Sequence, residues 1–147
     1  ETYDAPNLKK VLSNPSTEFI MHYARQDLLW LKYHLNIKPK NIFCTKLCSK
    51  IARTASNFHG YKDLVKELCG KDISKKEQQS DWGNPNLTEK QISYAAQDTQ
   101  HLFEIKEKLT KILIREKRID LFKKSMEVIP ILVDMEIAGY KLSIFEH

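Results

Sequence analysis

Long apolar runs are missing from this sequence. No segment approaches the roughly 20 consecutive apolar residues that a membrane-spanning helix needs, so no span and no membrane partner are expected. The opening ETYDAPNLKK has neither the basic start nor the apolar stretch of a secretory signal. Cysteine is scarce and unpaired: Cys44, Cys48 and Cys69 are an odd number and form no CxxC pair. That spacing argues against a zinc knuckle and a disulfide framework. It argues for a reducing intracellular compartment, a bacterial cytoplasm or an organelle interior. The three thiols read as small core residues. Internal repeats and low-complexity tracts are also absent, which leaves an ordinary globular chain.

What is present fits that class. The 147 residues, 41% of them apolar, suffice for one domain with a real core, or for one domain and the start of another. A net charge of +5 permits a polyanionic partner. The basic residues gather in short concentrations at 38–50, 71–76 and 106–124.

Periodicity divides the chain into one strand and a series of helices. NLKKVLSN (7–14) has helical spacing and stops at Asn14-Pro15. EFIMHYA (18–24) is a short apolar run suited to a buried parallel strand. Helices are expected over 25–35, with Asp27 in the first turn, over 45–54, and over 61–70 with Gly70 as the stop. The polar stretch 71–87 reads as a loop anchored by Trp82. Thr88 and Gln91 form a capping-box pattern, predicting one long helix from about 88 to 117. A last helix is expected over 121–138, with Pro130 near its start or kinking it and Gly139 closing it. A lone strand cannot satisfy its backbone groups, so its sheet partners are expected outside this sequence.

Asp98 is the residue that calls for chemistry. It shares a helical stripe with Tyr94, Leu102, Ile105 and Leu109, where an unpaired carboxylate would be costly. A core-facing aspartate bonded to some neighbour is one explanation. A second acid, Asp27, just beyond the carboxyl end of the strand, offers another, because ligands gather at such edges in open α/β sheets. Two converging carboxylates would suit a hard cation such as Mg²⁺ or Mn²⁺.

HYARQDLLWL (22–31), EQQSDWGNPNLTEKQISYAAQDTQHLFEI (77–105) and the helices between them resemble the second and third motifs of the DEDDy 3′-to-5′ exonucleases. That family includes ribonuclease D and the proofreading domains of family A DNA polymerases. The resemblance implies a ribonuclease H-like α/β fold, mostly helical here because its N-terminal strands are lacking. It also implies that Asp27 and Asp98 bind metal, with two Mg²⁺ or Mn²⁺ ions in the complete domain, and that Tyr94 orients the attacking water. The same resemblance puts His22, Arg25, Ser80 and Trp82 at the nucleic acid. His34, His59 and His101 have no ligand spacing and are assigned to surface or core.

The family's first motif, Asp-x-Glu, does not precede Asp27, and Glu1 is a poor substitute because 3–17 is filled by a helix and a turn. Residues 1–147 alone should therefore show weak or no nuclease activity. SMEVIPILVDMEIAGYKLS (125–143) resembles the entry into a family A polymerase thumb, with Ser143 where an Asp is usual. The implied division is a partial exonuclease domain at 1–117 and a linker with the first helix of a polymerase domain at 118–147. On that reading the substrate is the single-stranded 3′ end of DNA, and the partner is a covalently linked polymerase domain. The alternatives are ribonuclease D-type trimming of RNA, or a noncatalytic nucleic-acid-binding module that has lost the first motif.

Overall fold

A computed structural model describes residues 5–73 and 79–146. Glu1 therefore lies outside the described residues, as does the part of the 71–87 loop at 74–78. The chain runs α1 (Pro6–Leu12), β1 (Phe19–Met21), α2 (Ala24–Leu35), β2 (Ile42–Cys44), α3 (Thr45–Ala52), α4 (Tyr61–Leu64), α5 (Glu89–Gln100), α6 (Leu102–Arg115) and α7 (Ile119–Ile137). Val65–Cys69 prolongs α4 as a π-helical turn, and Leu142–Phe145 forms a 3-10 turn. This is the expected α/β arrangement dominated by helices. No helix among the described residues is long and apolar enough to cross a membrane.

β1 is not alone. It pairs in parallel with β2, in the register Phe19 with Ile42, Ile20 with Phe43 and Met21 with Cys44. One partner strand thus lies within this sequence, correcting the expectation that all of them lie outside it. The connection is α2, whose crossover is what a parallel pair requires. Cys44 sits where three elements meet: its sulfur accepts the backbone N–H of Ala24 at 3.4 Å and of Leu47 at 3.5 Å. It thereby serves the first turns of α2 and α3 together.

The core is built on α6. Ile105, Leu109 and Leu113 are fully buried, and they pack with Phe43, Leu64, Val65 and Phe122. A second cluster joins Ala24, Leu28 and Cys44 to Ile129 and Val133. α7 is thus shared by both clusters and runs as one helix past Pro130. Ion pairs Arg25–Glu136 and Lys32–Asp134 tie it to α2, and Arg118 donates to the Ile51 carbonyl at 3.1 Å. The division expected at residue 117 falls inside this packing.

The capping box forms as expected, with Gln91 N–H bonded to Thr88 Oγ1 at 3.3 Å and Thr88 N–H to Gln91 Oε1 at 2.9 Å. The single helix expected from 88 to 117 is instead two, broken at His101.

Candidate active site

The turn from β1 into α2 is made by Tyr23, whose backbone is left-handed at φ 68°. Only a small fraction of residues other than glycine adopt this conformation, and here it reverses the chain within one residue. His22 ends up at the strand edge, and Asp27 one turn into α2. Two cations approach the Tyr23 ring, with Lys46 Nζ 4.1 Å and the Arg25 guanidinium carbon 5.5 Å from its centre.

Across a cleft of about 600 Å³ stands α5. The cleft is lined by His22, Tyr23 and Asp27 on one side and by Tyr94, Asp98 and Thr99 on the other, with Tyr61 and Leu102 between them and Lys46 and Lys62 contributing positive charge. Asp27, Tyr94, Asp98 and His22, four residues singled out from the sequence, therefore share one cavity.

Asp98 is exposed in this cleft rather than buried on the α6 side of its stripe. That corrects the sequence reading: Leu102, Ile105 and Leu109 are buried, whereas the turn before them opens onto solvent. The protein around Asp98 still pushes its carboxyl pKa upward by desolvation, partly offset by a hydrogen bond from Tyr94. Burial and the neighbouring Asp98 charge raise the Tyr94 phenol, so Tyr94 keeps its proton and donates it. Desolvation also raises the Asp27 carboxyl. Among the described residues neither aspartate takes part in an ion pair. Two partly desolvated carboxylates line one cavity without a cationic partner, and carboxylate oxygens are the donor type that a hard divalent ion takes.

His22 is held in one tautomer. Thr45 Oγ1 donates to the Met21 carbonyl at 3.2 Å, so its single proton is committed. The 2.9 Å bond between Thr45 Oγ1 and His22 Nδ1 must then be donated by Nδ1–H. Nε2 is left as an acceptor. Burial, and next to it the charge of Lys46, lowers the His22 pKa to about 4, so the ring is neutral at physiological pH.

The remaining residues expected at the nucleic acid, Arg25, Ser80 and Trp82, do not line this cleft themselves. Arg25 turns away from the cleft to pair with Glu136, and its guanidinium also donates to Tyr23 Oη at 2.8 Å. Ser80 accepts from Gln91 Nε2 at 3.1 Å and helps to anchor the start of α5. Trp82, 40% exposed, leans on Tyr94 with ring centres 6.0 Å apart. Tyr61, Lys46 and Lys62 line the cleft without having been singled out, because no local pattern marks them. Cys69, His101 and Glu104 also come together, but the Lys108 ammonium already neutralises Glu104.

A family model for the 3′-5′ exonuclease matches residues 1–114. Ribonuclease D of Xanthomonas oryzae pv. oryzae is 32% identical over 120 residues, 82% of this chain and 33% of that protein. The chain spans about a third of the length of the curated relatives it matches. Among solved structures, Brucella melitensis NrnC with bound Mg²⁺ matches at a TM-score of 0.92 and 33% identity, covering 99% of this chain and 71% of that one. The same protein bound to pGG gives 0.92 and 35%, covering 98% and 70%. These structural matches extend through α7.

Proposed function

The chain belongs to the 3′-5′ exonuclease family, and we propose that it carries part of the catalytic cleft of a ribonuclease D-type enzyme that removes nucleotides from single-stranded RNA 3′ ends. The observation that carries this reading is the meeting of Asp27, from the start of α2, with Tyr94 and Asp98, from α5, in one cavity. The identity to ribonuclease D and to NrnC favours RNA trimming over polymerase proofreading. The packing of α7 onto α2 and β2 favours reading 118–137 as part of the nuclease body.

In this reading Asp27 and Asp98 hold divalent metal, Mg²⁺ by analogy with the NrnC structure that contains it; Mn²⁺ would suit the same oxygen donors. When bound, such ions activate water and stabilise the leaving 3′-oxygen. The chain's own residues do the rest. Tyr94, its one proton directed at Asp98, offers its phenol oxygen as an acceptor that orients the water, while Trp82 restrains the ring from the side. His22 offers Nε2 to a hydroxyl of the terminal nucleotide. Lys46 and Lys62 attract the phosphate backbone. Arg25 acts through packing, not through the substrate.

The intact protein is assayed with Mg²⁺ on 5′-labelled single strands of RNA and of DNA of one sequence. Stepwise shortening from the 3′ end, faster on RNA and lost in Asp98→Ala, is the expected result. Shortening that survives Asp98→Ala overturns the assignment, and a preference for DNA returns the polymerase reading.

A further inference from the structure

α5 carries both Tyr94 and Asp98, yet along Glu89–Gln100 the one buried residue is an amide, Gln91. Apolar packing therefore does not fix this helix. Two polar clamps do. At the N-terminal end, Gln91 closes the capping box and donates to the Asp81 carbonyl at 2.9 Å. At the C-terminal end, Tyr61 Oη donates to the Gln97 carbonyl at 2.8 Å and accepts the His101 N–H at 3.2 Å. In an unbroken α-helix those two backbone groups would bond each other. The phenol is spliced between them, and a side chain inserted into the ladder is a recognised cause of a sharp bend. Beyond the splice, α6 is anchored by the fully buried Ile105, Leu109 and Leu113.

We propose that Tyr61 is a positioning residue for hydrolysis: its hydroxyl sets the angle at which α5 departs from the anchored α6, and so holds Tyr94 and Asp98 opposite Asp27. This rests on the reading of the cleft as a nuclease site. Asp98 directly follows the clamped Gln97, and Tyr94 is three residues before it, so both are within a turn of the splice. Tyr61 also touches the opposite wall, its ring edge-on to His22 at 5.8 Å between centres. One side chain thus spans the two walls that must be held in register. Burial raises its pKa and preserves the proton that Gln97 accepts.

Tyr61→Phe leaves the ring in the cleft and deletes the hydroxyl alone. In the intact protein kcat is expected to fall about 10- to 100-fold, as for a displacement on the order of 1 Å, with KM changing by less than about threefold. A merely destabilising role would instead lower the unfolding midpoint and leave kcat per folded molecule intact. A second measurement uses no catalysis: Mn²⁺ binding to the substrate-free protein, followed by electron paramagnetic resonance, should weaken in Tyr61→Phe and in Asp98→Asn alike. A kcat within about twofold of wild type, or Mn²⁺ affinity unchanged by Tyr61→Phe, overturns the proposal. If the wild-type protein binds Mn²⁺ but shortens no oligonucleotide, the functional reading fails by itself. The Mn²⁺ comparison then decides the role of Tyr61.

Discussion

Replacing Phe122 by alanine tests whether α7 and the sheet form one cooperative body. The Phe122 ring is 4% exposed and meets Phe43 of β2 with ring centres 4.9 Å apart and planes tilted by 54°. It also belongs to the cluster built on Ile105, Leu109 and Leu113. Truncating a buried phenylalanine to alanine costs about 3–5 kcal/mol, the cavity included. Set against a typical total of about 5–15 kcal/mol, that is a large fraction. At about 2–4 °C per kcal/mol for a chain of this length, the unfolding midpoint should drop by roughly 6–20 °C. Ile131, on the same helix but 57% exposed, serves as the control, and Ile131→Ala should change stability by less than about 0.5 kcal/mol. Thermal unfolding followed by circular dichroism and by tryptophan fluorescence should give one coincident transition that moves as a whole in Phe122→Ala. If the main transition stays in place, or a separate one for α7 splits off, residues 119–137 are an independent unit and the reasoning fails.

The titrating groups of the cleft give two further predictions of opposite sign. His22 has a folded pKa of about 4 against about 6.5 in the unfolded chain, so between these values the unfolded state binds more protons and stability falls as the pH drops. The loss should reach up to about 3 kcal/mol on full acidification; urea unfolding across this range should show a shallower pH slope for His22→Gln, and equal slopes would refute the assignment. Asp27 and Asp98 are shifted the other way, with folded pKa values raised by desolvation. Their contribution is fully present below the unfolded carboxylate pKa and lost as pH rises through the folded value. In a chelator at neutral pH, Asp27→Asn should therefore unfold at a higher temperature than wild type, whereas added Mg²⁺ should stabilise wild type and not the variant. A variant less stable than wild type in the chelator would show that Asp27 makes a structural bond instead.

The limits of the sequence reading follow from how far each structural cause lies from its effect. The α5 start was legible because Thr88 and Gln91 satisfy each other three residues apart. The buried face of α6 was legible because Leu102, Ile105 and Leu109 repeat at helical spacing. β2 was not, since Ile42–Cys44 is too short to show a two-residue alternation and acquires strand character by pairing with β1. The break at His101 has no local signal either. No proline or glycine stands there, and the agent that opens the ladder is a hydroxyl 40 residues earlier in the chain. Arg25 shows the same limit at a site residue. It is two residues from Asp27, and at 3.6 residues per turn that separation places the two side chains on nearly opposite faces of α2. One face meets the cleft, and the other meets Glu136. Spacing within a helix can thus say which residues share a face, but only the partner across the face decides its surroundings: α7 pairs Arg25 with Glu136, whereas α5 sets Tyr94 and Asp98 in the cleft that Asp27 lines.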